Sequence, residues 1–216
     1  MMLRKILLVC GLLSSLLYVS IDLLAAIRYG DYHRFASQAI SELMARGAPT
    51  ERLVDPLFLL YGVLVMAFAA GVWMSSDRSR VHLTAGLLFA YAALGFLGPT
   101  LFEMNMRGTG DSRADLLHIV LTSLLGLLAL AAVWVGASTW QRSFRLYSLA
   151  TLLVLVVFAV LTALASRGLS TGRPTPWLGI AERIEIGAFL LWVMVLADSL
   201  LRAQQTMGRR VRLRPA

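Results

Sequence analysis

Cysteine is nearly missing from this chain: Cys10 is the single one among 216 residues. An intramolecular disulfide and a cysteine metal centre are therefore excluded. Cys10 lies inside an apolar run, where a thiol acts as a small buried hydrophobe. Charge is scarce as well, at 15% of residues against 58% hydrophobic. A soluble domain of this length is about a quarter charged. The net charge is +8, yet the basic residues are mostly single arginines between apolar runs. No continuous basic face with interleaved aromatics exists, so nucleic acid is not an expected partner. The basic excess fits membrane topology and anionic headgroups instead.

What the chain has is long apolar blocks, and a mean hydropathy of +0.74. Six spans are read, at about 6–27, 56–74, 82–102, 115–138, 146–166 and 180–201. Each holds roughly the 20 residues that cross a ~30 Å hydrocarbon core as a helix. Backbone groups in lipid must bond within their own segment, so the spans are helical. The expected fold is all-α, a polytopic membrane protein of six transmembrane helices in one domain, 1–202, followed by a basic tail, 203–216. The start, MMLRKILLVCGLLSSLLYVS, has the look of a signal peptide. Its apolar stretch is too long for a typical leader and no clean small-x-small site follows, so it is read as an uncleaved first helix.

With six spans, both termini share a side. Eleven of the 20 basic residues fall on that side: in the N-terminus, at 75–81, at 140–145 and in the tail. That bias places both termini in the cytoplasm and the chain in the inner (plasma) membrane. A faint likeness between HLTAGLL and HIVLTSLL does not extend into an inverted repeat, so no transporter is argued from it.

Acids are rare on the inner side. Of 12, only Asp77 and Asp198 lie there. The others are Asp22, Asp31, Glu42, Glu51, Asp55, Glu103, Asp111, Asp115, Glu182 and Glu185, in outer loops or at outer helix ends, with His33 and His118. Ionisable groups at membrane depth are costly and face partners or water. Their common level points to a polar cavity open to the outer face.

In GIAERIEIGAFLLW, Glu182 and Glu185 are three apart on one side of a turn, and Arg183 points about 100° away from Glu182. Two carboxylates and an arginine there suit a cation, a headgroup, or acid–base work; a cap with interhelical ion pairs is the plainer reading. In ADLLHIVLTS, Asp115 and His118 stand at i, i+3 with Thr122 on the same face. A carboxylate so placed orients the ring. One His and one acid are not a metal signature, so no metal is assigned, and no cofactor is named by any motif.

The stretch FASQAISELMARGAPT reads as an amphipathic helix of about twelve residues in the first outer loop, with Asp31 as N-cap and Gly47 as stop. It is expected to lie over the mouth of the bundle, with Glu42 pointing inward. Ser37 or Ser41 as nucleophile, with His33 or His118 as base, lacks a supporting motif.

ISELMARGAPTERLVDP, a His at the head of the fourth span, and GIAERIEIGAFLLWVMVLADSLLR together resemble the prokaryotic membrane family called domain of unknown function number 998, over about residues 8–202. The resemblance implies a six-helix integral membrane protein and carries over no catalytic residue. Where many members have an Asp soon after the third span, GPTLFEMNMRG offers Glu103 and Asn105. The ceramidase-like hydrolases share Ser, Asp and His at membrane depth, but they need three His on one side and seven helices, so that membership is rejected.

These readings lead to a binding protein for a membrane lipid or other amphipathic small molecule. Glu182, Arg183 and Glu185 would meet its polar group, with Glu42, Ser41, His118 and Asp115 around them. A phosphate favours Arg183 and an amine favours the acids. One rival is a lipid-acting hydrolase or transferase with His118, Asp115 and Glu182 as candidate catalytic groups. A second is a structural membrane subunit whose polar cluster pairs helices. The residues alone leave open whether the chain is an enzyme.

Overall fold

The structure, a computed structural model, describes residues 2–30, 34–98, 103–109 and 112–212, the last six of these by backbone alone. Among the described residues there are six long α-helices: α1 Met2–Arg28, α2 Glu51–Trp73, α3 Ser79–Phe96, α4 Arg113–Ala137, α5 Arg142–Ala165 and α6 Leu178–Arg212. No strand occurs among the described residues. Each helix packs against its neighbours in sequence, and α6 closes the ring against α1. Short connections, 74–78 and 138–141, sit at the end that carries the N-terminus; the long ones, 29–50, 97–112 and 166–177, sit at the other.

Five helices are long and apolar enough to cross a membrane, which makes this a multi-pass membrane protein by length and composition. The exception is α3, which has 18 residues and opens on Arg80 and His82. The expected third span, 82–102, therefore starts three residues early and ends short, with 99–102 outside the described residues. The second helix also begins earlier than its apolar run. Pro56 lies inside α2 rather than at its start, because the preceding loop feeds it: the Glu51 carboxylate accepts from the Gly47 N–H at 2.5 Å. The last helix runs 35 residues, about 52 Å at 1.5 Å per residue, and carries the tail on without a break to Arg212.

The core is apolar and tightly packed. Trp192, Phe189, Phe68, Leu88 and Val133 belong to one buried cluster, and the Trp192 indole donates to the Ser148 hydroxyl at 3.0 Å. Small residues set the helix spacing. A Cβ on Gly136 would stand 2.6 Å from the Trp192 ring, and one on Gly11 2.6 Å from Phe68.

The expected twelve-residue amphipathic helix in the first outer loop is not formed among the described residues. Turns from 34 lead into a four-residue 3₁₀ turn, Ser41–Met44. Asp31, its expected N-cap, and His33 lie outside the described residues. The physical reason is that side chains from elsewhere bond the Phe35, Ser37 and Gln38 carbonyls and the Ile40 N–H, and the i→i−4 bond from Gln38 to Arg34 is not continued into a ladder. Those side chains define the site.

Candidate functional site

The end opposite the N-terminus, called the outer end after the expected topology, is organised by two arginines. Arg183, in the first turns of α6, meets the Asp22 carboxylate of α1 with two parallel bonds, Nε to Oδ2 at 2.9 Å and Nη2 to Oδ1 at 2.8 Å. Its Nη1 donates to three carbonyls: Gln38 at 2.8 Å, Gly179 at 3.1 Å and Phe35 at 3.3 Å. Its guanidinium also stacks over the Phe35 ring, 4.0 Å from the centroid. Both partners of this pair are about nine-tenths buried, at 10% and 11% side-chain exposure. Gly179 makes the approach possible: a Cβ there would collide with the carbonyl oxygens of Gln38 and Phe35.

Arg107, from the loop after α3, plays the matching part for the other half of the loop. It grips Glu42 with Nε to Oε1 and Nη2 to Oε2, both at 2.9 Å. It also donates to the Ser37 carbonyl at 3.0 Å and the Thr175 hydroxyl at 2.8 Å. Thr175 in turn donates to the same Ser37 carbonyl at 2.9 Å. Glu42 is buried, pointing inward as its position suggested, and accepts from the Ala39 N–H at 2.8 Å. The turn that carries Arg107 is fixed by Gly108, at φ +81°, backed against Gly172, at φ +68°; neither conformation suits a side chain.

Glu182 holds the loop from the helix side, accepting from the Ile40 N–H at 2.6 Å. Glu185, one turn further into the bundle, faces Thr162 of α5. Below the loop sits a group of aromatic rings. Tyr18 packs edge-on against Phe58 and Tyr61, each 5.1 Å between centroids, and the Tyr61 and Tyr91 hydroxyls lie 3.2 Å apart. Tyr18 is within electrostatic reach of Glu182, Asp22 and Arg183, and Tyr91 within reach of Glu185.

Among the described residues the ion pairs are Arg183–Asp22, Arg107–Glu42, Arg46–Glu103 and Arg202–Asp198. Glu182 and Glu185 belong to none of them. Of the residues expected at the site, Glu182, Arg183 and Glu42 share this network, and Ser41 opens the 3₁₀ turn within the clamped loop. Asp115 does something else. Its carboxylate accepts from the Asn105 N–H at 2.8 Å, the Asn105 amide at 3.2 Å and the Ser112 hydroxyl at 2.7 Å, while Ser112 caps α4. His118 lies on α4 beside residues that are well exposed, Leu116, Ile119 and Val120. The Ser37 hydroxyl donates to the Arg34 carbonyl of its own turn at 3.1 Å.

Two features escaped the sequence reading. Arg107 counted there only as one outer-side charge among nine; the glycine beside it was the available signal. The second is a carboxylate cluster, with oxygens of Glu51, Asp55 and Glu103 all within 4.8 Å of one another. Glu51 and Asp55 share a helix face at i, i+4, but the third member comes from a loop far along the chain. Oxygen sets of this kind suit hard cations; here Arg46 reaches Glu103 at 3.3 Å.

A ring of apolar helices with an acid- and arginine-stitched outer loop defines an integral membrane protein of the multi-pass helical class. The family model described as "Protein of unknown function (DUF998)" matches residues 12–198, and the chain belongs to that family. Neither the curated proteins nor the solved structures give a match.

Proposed function

We propose that the protein is a six-span protein of the plasma membrane with both termini in the cytoplasm, whose outer-end cluster binds a lipid or other amphipathic molecule through an amine-bearing head. The alternation of the ring supports α3 as the sixth span, since α3 packs between α2 and α4. One observation carries the choice of ligand: the uneven use of charge. Arg183 and Arg107 are each taken by a carboxylate and by backbone carbonyls, which leaves neither free for a phosphate. Glu182 and Glu185 are in no ion pair among the described residues, and Arg183, the cation within electrostatic reach of Glu182, is already held by Asp22. Tyr18, Tyr61 and Tyr91 beside them offer ring faces and hydroxyls, which favour a cationic head over an anionic one. The clamped loop, 34–50, covers the site from the outer side.

A lipid-acting hydrolase would need Asp115 to orient His118, and Asp115 is committed to Asn105 and Ser112. The structural reading has its own support in the two arginine clamps. Native mass spectrometry of the purified protein beside a Glu182→Gln/Glu185→Gln variant separates the cases. An adduct with the mass of an amine-bearing amphipath, lost in the variant while the fold persists, is the expected result. An adduct held equally by both proteins, or an anionic lipid without an amine, overturns the site. A bare chain in both shifts the conclusion to a structural subunit.

A further inference from the structure

The rim of the bundle at the loop-bearing end is uneven in charge, and the unbalanced side is separate from the amine site. On the α2 side, the carboxylate oxygens of Glu51, Asp55 and Glu103 gather within 4.8 Å, with Arg46 on Glu103 and Arg52 next to Glu51 in sequence. The α4–α5 side has arginines instead. No Asp or Glu occurs between Asp115 and Glu182. Asp115 is held by Asn105 and Ser112, and Glu182 by the Ile40 N–H. Arg113, Arg167 and Arg173 are all exposed, and none is in an ion pair among the described residues.

The fold brings these three to one edge. Helices α4 and α5 are packed neighbours; Arg113 opens α4 and Arg167 follows the end of α5. The connections beside them touch, the Gly108 N–H donating to the Leu169 carbonyl at 3.1 Å. The Arg173 N–H closes a turn on the Gly168 carbonyl at 2.9 Å, and a Cβ on Gly168 would stand 3.0 Å from the Arg173 Cβ. Arg167 and Arg173 thus leave the neck of a single turn. Like charges tethered to one turn gain from an anion between them. Arg113 lies in the first turn of α4, where the helix dipole disfavours a cation.

Beneath the arginines the surface is apolar. Leu117, Val120, Leu124 and Leu127 follow Arg113 at helical spacing, and all are exposed. On α5, exposed Leu153, Val157, Val160 and Leu164 lead to Arg167 in the same way. These two helices are the least buried of the five long spans, at 22% and 17%. Trp177 is 68% exposed and stands in line with exposed Ile184 and Leu191 of α6. An indole so placed marks the headgroup level of a bilayer.

We propose that this face binds an anionic phospholipid of the leaflet at that end, its acyl chains along the α4 and α5 stripes and its phosphate at Arg113, Arg167 and Arg173. The guanidinium fork matches phosphate oxygens. Two copies in one membrane run parallel, so a twofold pairing through this face would set arginine against arginine. A phosphate neutralises that charge, which selects lipid over a second copy.

Trp177 reports on the site. The full chain is reconstituted in phosphatidylcholine vesicles containing phosphatidylglycerol or, separately, phosphatidylcholine brominated near the top of the acyl chain. The Trp177 signal is taken as the difference from Trp177→Phe. Phosphatidylglycerol is expected to quench Trp177 at a several-fold lower mole fraction. Arg167→Gln/Arg173→Gln, which changes two exposed side chains outside the helices, should bring the two lipids to within twofold. Quenching of Trp134, 65% exposed at the far end of α4, should not respond to that variant. Equal quenching of Trp177 by the two headgroups in the parent, or a preference that survives in the variant, overturns the site. A change of the same size at Trp134 overturns it too, because the effect is then not local. Quenching that falls as protein density in the vesicle rises assigns the face to a second copy and overturns it as well.

Discussion

The two ends of the bundle are held together by different physics. At the outer end, long connections are stitched by bidentate arginine–carboxylate pairs and by side chains bonding backbone carbonyls. At the inner end, the connections are short and glycines let helices touch, Gly136 on Trp192 and Gly71 on the backbone at Leu7 and Leu8. The inner end relies on less polar fixing, Arg4 on the Met74 carbonyl and Arg78 on the Thr139 carbonyl, because few residues lie outside helices there. The outer loop has too many backbone groups to leave unsatisfied at a membrane boundary. Charge pairing fixes one conformation of a long loop, while close packing fixes only distance.

The contrast is broken most forcefully at Arg183. Arg183→Ala leaves Asp22 buried without its cation, and the expected loss is about 3–5 kcal/mol, the range for breaking a buried pair from one side. Thermal unfolding in detergent measures it; a variant within 1 kcal/mol of the parent would show that the outer end is not held by charge. At the inner end, Gly136→Ala pushes a methyl into the Trp192 ring, and overpacking predicts a loss of about 1–3 kcal/mol in the same assay. A shift in Trp192 near-ultraviolet dichroism should accompany it. Arg107→Ala should cost less than Arg183→Ala, about 1–2 kcal/mol, because Arg107 is 25% exposed where Arg183 is 10%. Its sharper signature is local: proteolysis within 34–50 should speed up while the helices stay protected. Ser112→Ala removes the cap of α4 and is expected to cost about 1 kcal/mol. Its effect should leave the cleavage rate of 34–50 unchanged, which separates the α4 cap from the clamp.

Five of the six helices were readable because each is an apolar block long enough to be identified by composition alone. Their ends were not, since α2 starts where Glu51 catches the Gly47 N–H and not where the apolar run begins. The collection of acids at this end was visible too, and Glu42 is buried against Arg107 and the backbone of its own loop. What could not be read was the pairing. Arg183 reaches back 161 residues to Asp22, and Arg107 back 65 residues to Glu42. No periodicity records such distances. The first outer loop shows the consequence: its i, i+4 pattern favours a helix locally, and side chains from two distant segments, Arg107 and the start of α6, outcompete it. What Asp115 bonds was hidden for a nearer reason: its partners, the Ser112 cap and Asn105, lie in the loop before α4 and follow no helical spacing.

The span of the Arg183–Asp22 pair also sets a timetable for biogenesis. Asp22 leaves the ribosome with the first helix, and its cation follows 161 residues later with the last. At about 5–20 residues per second, that interval is roughly 8–32 seconds. For that time the first helix stands in or beside the bilayer with an acid that lacks its Arg183 partner, and the loop after it has only the Arg107 half of its clamp, which follows Glu42 by 65 residues. A chain that stops before α6 never resolves either condition. Completion of the ring is thus written into the membrane as the disappearance of an unpaired charge, a difference that a protease or insertase can sense without reading the rest of the fold.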